Sequence, residues 1–507
     1  MNISKLQPDF KLDPHSAQPL YLQIADLLSS KITSHTLPAG AKLPPERKLA
    51  ALFGVSRTTS INAYRCLEQQ GLVETKVGSG TYVAELSITR ENALSGVPWH
   101  QLFTPSPQSP LSSILRELVD TNLDSGNISL AAGMPDPAFY PVKLFQKLFN
   151  QDKGGTNKAD LGHIPTEGYG PLRLSVAGLL DAKGIHLSME NIMITAGSQQ
   201  GLYLISKVLL EPGDYVVVES PTFIGAHQVF QASGARVLTL PVAGAFPFAL
   251  LEDYLIRYRP KLLYMIPTYH NPTGRVLPEN QRRELLQLAA RHRLVILEDD
   301  PYSDLYYGEE PPPSLKALDT YDGVVYLSTF SKILCPGLRI GYVAAHPALI
   351  NRLALEKQYI DLHSNNLAQI LICRLLDQGS LPAHLAFVRA EYKKRRDALV
   401  QALRHFCHQE LTFSLPEGGF YLWCKIQAPV LSGRLLQEAA KTGLSFVPGE
   451  AFYSTPDGEK EIRLCFTTHP EHLLSEAAKR LSEVLARLAR ADKRKESQVG
   501  LPFRPIV

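Results

Sequence analysis

The sequence predicts a multidomain protein, with a small helical unit followed by a much larger α/β domain. Three observations lead to this prediction. The chain has 507 residues, which is more than one domain of ordinary size. Apolar residues recur at helical spacing near the N terminus. From about residue 111 onward, short apolar strand-like runs alternate with helical stretches, and this alternation is typical of a mostly parallel sheet with helices on both faces.

Composition excludes several classes of protein. The apolar fraction of 45% is ordinary for a globular protein, and the net charge of +3 is too small to identify a partner. The six cysteines are scattered without C-x-x-C pairs, which favours reduced thiols over a disulfide framework or a zinc site. Residues 1–13 are polar, and no run of about 18 apolar residues occurs. We therefore expect a cytoplasmic protein without a membrane span or a metal.

The N-terminal residues predict three helices and a β-hairpin. Apolar residues at helical spacing mark the first helix, at about residues 19–34. The second begins after Pro44 and Pro45, since proline is tolerated in a first helical turn, and Gly54 ends it. Ser56 is a plausible N-cap for the third helix, at residues 57–70. Two β segments, 72–74 and 81–83, follow around a glycine-bearing turn, which completes a winged helix-turn-helix.

This unit has the side chains that DNA binding requires. The recognition helix begins at Ser56, Arg57, Thr58 and Thr59, where side chains reach base edges or phosphates. Further candidates for phosphate contacts lie on the second helix and on the wing: Arg47, Lys48, Lys76, Gly78 and Gly80. Helix-turn-helix geometry alone does not prove DNA binding. A helical dimerisation or peptide-binding module is the alternative.

Several motifs in this unit resemble the GntR-type winged-helix signature, which they cover almost continuously over residues 18–83. They are L-P-P-E-R at 43–47, G-V-S-R-T-T at 54–59, G-L-V at 71–73 and G-S-G-T-Y-V at 78–83. Ser60 departs from the signature, which usually has an apolar residue there. We assign residues 1–83 to a DNA-binding domain, and the polar, proline-punctuated residues 84–110 to a linker.

The large domain has seven strand candidates, and ligands of such folds gather at the carboxyl ends of the strands. The candidates are residues 192–195, 215–219, 237–240, 262–266, 294–297, 324–327 and 340–344. After the 324–327 run come Thr329, Ser331, Lys332 and, seven residues later, Arg339. A lysine out of bulk water can form a Schiff base with a carbonyl cofactor. Hydroxyls and an arginine suit a phosphate, so this stretch predicts a seat for pyridoxal 5′-phosphate.

Other strand ends carry residues that fit the same cofactor. Ser198 and Gln199 begin a helix, whose free amides favour a phosphate. Phe223 could stack on a flat ring, and Asn271 and Tyr302 could hydrogen-bond its phenolic oxygen. Asp299 could keep the pyridine nitrogen protonated. Arg463 could bind an α-carboxylate through two hydrogen bonds.

Residues 111–490 resemble a fold-type-I aminotransferase. The matching motifs are G-Y-G-P-L-R at 168–173, G-S-Q-Q at 197–200, H-N-P-T-G at 270–274, E-D-D-P-Y at 298–302, S-K-I-L-C-P-G-L-R-I-G at 331–341 and R-L-C-F at 463–466. The resemblance implies a smaller C-terminal α+β subdomain, an aldimine on Lys332, and phosphate binding by Thr329, Ser331, Arg339, Ser198 and Gln199. It implies that Asp299, Tyr302 and Asn271 tune the ring, that Phe223 stacks on it, and that Arg463 holds the substrate carboxylate. Tyr169 would be supplied by the other subunit.

Over nearly its whole length the chain resembles the MocR-type transcriptional regulators. That resemblance implies a homodimer that binds double-stranded DNA and responds to an amino acid, an amine or pyridoxal phosphate. Two alternatives remain open. Because the transamination residues are present, the protein could be an aminotransferase that exchanges amino groups between an amino acid and a 2-oxo acid, or its large domain could serve only for dimerisation. We expect residues 491–507 to be a disordered tail.

Overall fold

A computed structural model describes residue 12 and residues 19–33, 36–76, 79–84, 126–150, 161–242 and 244–499. The chain divides into two compact units, Met1–Ser106 and Pro107–Val507. The boundary falls within the predicted linker, of which only Ala84 lies among the described residues.

The N-terminal unit is a winged helix-turn-helix, as predicted. Its elements are α1 (Leu20–Thr33), α2 (Glu46–Phe53), α3 (Arg57–Gln69), β1 (Val73–Lys76) and β2 (Gly80–Val83). The two strands pair antiparallel as a hairpin. A single apolar core that includes Ile24, Leu28, Leu49, Leu67 and Val83 holds the helices and the hairpin together.

Two local signals fix the turn between α2 and α3. Gly54 ends α2 in the left-handed conformation, with φ of 64°, and its amide donates to the Ala50 carbonyl. Ser56 caps α3, because its hydroxyl accepts the amide of Thr59 at 3.1 Å. The recognition helix therefore begins where the sequence predicted.

Ser60 lies fully buried in this unit, and its hydroxyl has no hydrogen-bond partner among the described residues. An unsatisfied buried hydroxyl costs about 1–3 kcal/mol. We therefore expect Ser60→Ala to stabilise the N-terminal unit by about 1 kcal/mol, and to slow amide hydrogen exchange in α3 of the full-length protein about fivefold. As the opposite control, Ser56→Ala removes the N-cap and is expected to speed that exchange. Unchanged or faster exchange in Ser60→Ala would refute the expected gain.

The second unit is built on a seven-stranded sheet with strand order β4-β10-β9-β8-β7-β5-β6. All strands of the unit are β3 (Ile128–Ser129), β4 (Ile192–Thr195), β5 (Tyr215–Ser220), β6 (Arg236–Pro241), β7 (Leu262–Met265), β8 (Val295–Asp299), β9 (Val324–Thr329), β10 (Gly341–Ala344), β11 (Leu411–Phe413), β12 (Tyr421–Ile426), β13 (Leu444–Ser445), β14 (Val447–Pro448) and β15 (Glu461–Cys465). Each of the seven predicted strands is present in this sheet. The sheet is parallel except for β10, which runs antiparallel to both of its neighbours.

Helices separate the strands and pack on the sheet. They are α4 (Val142–Asn150), α5 (Gly170–Asp181), α6 (Ser198–Leu209), α7 (Ile224–Ala232), α8 (Phe248–Arg257), α9 (Glu279–His292), α10 (Leu315–Leu318), α11 (Pro347–Gln358), α12 (Asn366–Asp377), α13 (Leu381–Phe406), α14 (Ser432–Ala440) and α15 (Glu471–Val499). Strands β7 and β9 inside the sheet, and β4 at its edge, are buried along their whole length. Sheets covered on both faces have such continuous apolar strands.

The C-terminal part forms the predicted α+β subdomain. Its antiparallel sheet has the order β11-β12-β15-β14, and α13, α14 and α15 accompany it. Helix α15 continues through Val499, which corrects the prediction that disorder begins at residue 491. Residues 491–499 lack glycine and proline and are rich in lysine, arginine and glutamate, so nothing stops the helix before Gly500. Residues 500–507 lie outside the described part of the chain.

The described residues contain neither a membrane-spanning helix nor a metal-binding cluster. No helix there is long and apolar enough to cross a membrane. No group of three or more histidine, cysteine, aspartate or glutamate side chains in that part of the chain is arranged to hold a metal ion.

Candidate functional site

A cavity of about 170 Å³ lies at the carboxyl ends of the large sheet's strands. Every residue predicted to bind the cofactor lines it, except Tyr169. The lining residues are Ser198, Gln199, Phe223, Ile266, Asn271, Asp299, Pro301, Tyr302, Thr329, Ser331, Lys332, Arg339 and Tyr421. Parallel strands bring these distant segments together because their carboxyl ends meet at one edge.

One end of the cavity is rich in hydrogen-bond donors. Helix α6 begins there at Ser198, so its first amides and its positive dipole end favour an anion. Gly197 precedes it with φ of 94°, and a Cβ on Gly197 would lie only 2.7 Å from an Arg339 nitrogen. Glycine is required here by both the conformation and the close approach of the guanidinium.

Strand β10 explains why Arg339 reaches the start of α6. Gly341, its first residue, pairs with Thr195 at the end of β4 and with Thr329 at the end of β9. Because β10 runs antiparallel to β9, it begins at the edge of the sheet where β9 ends. Arg339, two residues before β10, therefore lies at this edge, and it donates to the Ala196 carbonyl at 3.1 Å. Thr329 donates to the Ser331 hydroxyl at 3.0 Å. The donors Ser198, Thr329, Ser331 and Arg339 thus lie around one cavity, and such a set of donors is suited to an anion.

Asp299 lies at the end of β8 and is buried. Tyr264 donates to its Oδ2 at 2.7 Å, whereas its Oδ1 has no hydrogen-bond partner among the described residues. Burial, with a further contribution from Asp300, raises the pKa of the Asp299 carboxyl to about 7, against the lowering effects of Tyr264 and Lys332. A buried carboxylate oxygen without a partner, in a cavity wall, can accept a hydrogen bond from a cationic ring N–H.

Lys332 faces the same cavity, three residues beyond the end of β9. Its Nζ donates to the Gly133 carbonyl at 2.7 Å. Burial lowers the pKa of the Lys332 amine to about 8, with help from Arg463 and Arg339 and against Cys465 and Asp299. The lower pKa leaves about a tenth of the amine neutral at pH 7, compared with well under a thousandth for an ordinary lysine. The amine is therefore available as a nucleophile.

Arg463 lies on β15 and contacts two residues of the cavity wall, Asn271 and Tyr421. Its guanidinium donates to Asn271 Oδ1 at 3.0 Å and to the Ala131 carbonyl at 2.6 Å. Its Nε is buried without a partner among the described residues. Because Asn271 Oδ1 accepts the arginine proton, the amide nitrogen of Asn271 remains as a donor. The guanidinium lies 4.2 Å from the Tyr421 ring centre.

Tyr302 is buried in the cavity wall, and its hydroxyl lies 3.0 Å from the hydroxyl of Tyr421. Our sequence interpretation did not include Tyr421, Tyr264 or Gly133. These residues lie far along the chain from the residues they contact, so no local sequence pattern marks them. The paired glycines Gly418 and Gly419 before Tyr421 are a partial signal of close packing, since a Cβ on either would lie within 3.0 Å of the Tyr269 side chain.

Tyr169 is the one predicted cofactor residue that does not line the cavity of its own chain. It precedes α5, and its amide donates to the Gln369 side chain at 2.8 Å. The prediction that Tyr169 binds the cofactor of the other subunit concerns a different chain, so it remains a prediction.

The predicted DNA-reading residues lie at the surface of the N-terminal unit. Arg47, Lys48, Ser56 and Thr58 are exposed, and Thr59 is half-buried. Arg57 is exposed as well, and its Nε and Nη2 donate to Glu46 Oε2 at 3.1 and 3.0 Å. An exposed pair of this kind is weak, about 0–1 kcal/mol, so a phosphate or a guanine can replace Glu46.

The wing carries a second basic group. Lys76 pairs with Glu74 at 2.7 Å, and both Lys76 and Lys42 approach the Tyr82 ring at 5.4 Å. Lys42 was absent from the predicted contacts. Gly80 is close to Lys42, while Gly78 lies outside the described residues.

The fold and the site together define a winged-helix unit joined to a fold-type-I aminotransferase domain. The family model "Aminotransferase class I and II" matches residues 122–481, and "Bacterial regulatory proteins, gntR family" matches residues 20–83. The chain belongs to the aminotransferase class I and II family, and its N-terminal domain is of the gntR family. The predicted MocR-type architecture is confirmed.

Relatives of two kinds are similar to this chain. The uncharacterized HTH-type transcriptional regulator YisV of Bacillus subtilis is 34% identical over 470 residues, covering 92% of this chain and 95% of the relative. Aromatic-amino-acid aminotransferase 1 of Thermococcus litoralis is 36% identical over 394 residues, covering 76% of this chain and 94% of the relative. The crystal structure of LysN, an α-aminoadipate aminotransferase from Thermus thermophilus complexed with N-(5′-phosphopyridoxyl)-L-leucine, matches with a TM-score of 0.71 and 35% identity, covering 78% of this chain and 99% of that one.

Proposed function

We propose that this protein is a DNA-binding transcriptional regulator whose aminotransferase domain binds pyridoxal 5′-phosphate and senses an amino acid, an amine or the cofactor itself. The observation that carries the proposal is the likeness to a regulator over 92% of the chain, which includes both units. A likeness limited to the large domain would favour an enzyme alone.

The cavity residues fit the cofactor. Ser198, Gln199, Thr329, Ser331 and Arg339 would hold its phosphate, since they form the donor-rich end. Asp299 Oδ1, buried and without a partner in the described chain, would accept the pyridine N–H. Phe223 would stack on the ring, while Asn271 and Tyr302 would donate to its phenolic oxygen. When bound, the cofactor supplies an electron sink for bonds at an amino carbon.

The chain's own residues would then perform three tasks. The Lys332 amine forms the covalent attachment, and it holds or releases a proton near neutral pH because its pKa is about 8. Arg463 orients a ligand through its carboxylate. The ring of Tyr421 and the neighbouring Phe452 enclose the guanidinium, with centroid distances of 4.2 and 4.9 Å, and so keep water from it.

Regulation requires two conformations of the protein that differ in their affinity for DNA and also in their affinity for the ligand. A ligand changes DNA affinity only as far as it binds the two conformations differently, and DNA changes ligand affinity by the same factor. We propose a homodimer as the active species. Exposed large apolar side chains support this, each at least 46% exposed: Tyr203, Leu355, Tyr359, Ile360, Leu362 and Leu367.

A second candidate function is amino-group transfer between an amino acid and a 2-oxo acid. The specific observation in its favour is that Lys332 and Asp299 line one cavity, and that Arg463 contacts two of its lining residues, Asn271 and Tyr421. The two functions are compatible in one protein, because a regulator that senses an amino acid through this site needs the same first binding steps.

The proposed function is tested by recovering DNA fragments of the source genome on the purified full-length protein, with and without pyridoxal phosphate. We expect one or a few intergenic fragments to be enriched, and their yield to change with the cofactor in the wild type but not in Lys332→Ala. If neither state enriches a fragment, the regulator proposal fails. A screen of amino donors and 2-oxo acids for turnover then tests the enzyme.

Arg463→Ala is expected to weaken the spectral response of the bound cofactor to α-amino acids about a hundredfold or more, because a charged hydrogen-bonded pair of this kind contributes several kcal/mol. The covalent attachment at Lys332 is expected to persist. The measurement is a titration of the cofactor's visible absorption with amino acids.

Two controls accompany this titration. Arg463→Lys should retain a weakened response, and a simple alkylamine without a carboxylate should act equally on the wild type and on Arg463→Ala. An unchanged response of Arg463→Ala to amino acids would move the carboxylate site elsewhere.

A further inference from the structure

Tyr421 lies between Tyr302 in the cavity wall and Arg463 behind it. It is the first residue of β12 and is buried, with its side chain in the cavity wall. Its hydroxyl lies 3.0 Å from that of Tyr302, and the two rings meet edge to face with centroids 5.7 Å apart. Its ring also lies against the Arg463 guanidinium at 4.2 Å. Tyr421 thus touches both the residue assigned to the cofactor's phenolic oxygen and the residue assigned to the ligand's carboxylate.

The backbone leaves Tyr421 little freedom to move. A Cβ placed on Gly133 would lie 1.9 Å from the Tyr421 oxygen, so the hydroxyl fills the space that a side chain at residue 133 would take. The Gly133 carbonyl in turn accepts the Lys332 amine at 2.7 Å. The position of Tyr421 is therefore fixed by Gly133, Tyr302 and Arg463 together.

Either Tyr302 or Tyr421 can donate the hydrogen bond between their hydroxyls, and a bound cofactor would decide which of them does. A phenol has one proton to donate, and burial raises the pKa of both Tyr302 and Tyr421, so both are protonated at neutral pH. If Tyr302 donates its proton to the cofactor oxygen, its own oxygen must accept from Tyr421. Linked hydrogen bonds of this kind strengthen one another.

We propose that Tyr421 is a positioning residue that transmits the charge at Arg463 to Tyr302, so that a carboxylate bound at Arg463 changes the proton affinity at the lysine–cofactor linkage. The inference rests on the proposed cofactor site. A cation beside the Tyr421 ring favours proton donation by its hydroxyl, and a carboxylate paired with Arg463 cancels part of that effect. The other ionisable groups near the pair are Cys465, Lys332 and Asp299.

The direction of the effect follows from the hydrogen bonds. A strong donor to the cofactor's phenolic oxygen withdraws electron density from it, and so weakens its hold on the proton shared at the lysine linkage. Tyr421→Phe removes the hydroxyl that donates to Tyr302, but it preserves the aromatic ring that contacts Arg463. The pH midpoint of the cofactor's absorption change is therefore expected to rise by about 0.3–0.7 pH unit. Tyr302→Phe is expected to raise it further.

The experiment is a pH titration of the visible absorption of the full-length holoprotein, with and without propionate, a carboxylate that has no amino group. In the wild type, propionate should raise the midpoint. In Tyr421→Phe the starting midpoint should be higher and the propionate shift smaller. Adding Tyr421→Phe to Tyr302→Phe should change nothing more, because the two act through one chain of hydrogen bonds.

A matched control is Tyr307→Phe. Tyr307 is also a buried tyrosine, but its hydroxyl donates to the Gly419 carbonyl outside the cavity lining, so its variant should titrate like the wild type. Equal midpoints and equal propionate shifts in Tyr421→Phe and wild type would overturn the inference. The inference would also be overturned if the midpoint shifts of Tyr302→Phe and Tyr421→Phe added up in the double variant. This comparison of three variants does not depend on any one of them being fully stable.

Failure of the proposed function gives a different result. If the wild type acquires no Lys332-dependent absorption from pyridoxal phosphate, the cofactor proposal itself is wrong. If it acquires the absorption and Tyr421 has no influence on it, only the inference about Tyr421 is wrong.

Discussion

Lys332→Ala is expected to abolish covalent attachment of pyridoxal phosphate. Treatment of the loaded wild type with borohydride should fix the cofactor to the peptide that contains Lys332, and the variant should yield no such adduct. The physical reason is that Lys332 combines access to the cavity with a pKa of about 8, lowered chiefly by burial. Mass spectrometry of the reduced and digested protein measures the result.

The same pKa predicts the pH dependence of attachment. Only the neutral amine attacks a carbonyl, and for a lysine whose pKa is lowered the neutral form grows as pH rises towards the folded-state value. The initial rate of attachment should therefore rise with pH and level off above about 8. An amine with an ordinary pKa would keep gaining rate up to about pH 10.

Lys183→Ala is a suitable control for this prediction. Lys183 belongs to the same unit and is partly buried, but it pairs with Asp304 at 2.7 Å, and this carboxylate raises the pKa of its amine in spite of burial. The variant should keep the adduct at Lys332. A stoichiometric adduct at any other lysine in Lys332→Ala would contradict the assignment.

The second large effect is expected at Arg57. Arg57→Ala should weaken binding to the specific DNA site by about 1–3 kcal/mol, or roughly 5- to 150-fold, and reduce the preference for that site over other DNA. The free protein holds the guanidinium at the N terminus of the recognition helix through Glu46, at 3.0–3.1 Å. Because that pair is exposed, DNA replaces it at little cost.

Lys48→Ala provides the contrast, because a phosphate contact carries no base information. It should weaken specific and nonspecific binding alike, and lower the slope of log affinity against log salt by about one. Fluorescence anisotropy with the recovered DNA site and a scrambled duplex, at several salt concentrations, distinguishes the two outcomes. If Arg57→Ala retains the wild-type sequence preference, Arg57 does not read bases. Cofactor loading should be unchanged in both variants.

The sequence predicted the framework of the large domain well, because buried parallel strands are continuous apolar runs. Each of the seven predicted runs forms a strand. The direction of β10 was not predicted, since it depends on the path of the loop between Thr329 and Gly341 rather than on the pattern within the strand. In the N-terminal unit, Gly54 and Ser56 marked the turn because each acts through its own local conformation.

Residues that act through distant contacts were missed. Gly133 meets the Lys332 amine across 199 positions of sequence, and Tyr421 meets Tyr302 across 119. No local periodicity reports such contacts. The end of α15 was also misjudged, because charged residues such as Lys493 and Arg494 are good helix formers and were interpreted as a solvated tail.

The residues proposed for the phosphate and those proposed for the ligand's carboxylate belong to different sheets. Ser198 and Arg339, which we propose bind the phosphate, lie at the edge of the seven-stranded sheet, whereas Arg463 and Tyr421 lie on the four-stranded sheet of the C-terminal subdomain. A molecule that carries an anion at each end would therefore contact residues of both sheets. The distance between these two groups of residues would then select a ligand by the spacing of its anions.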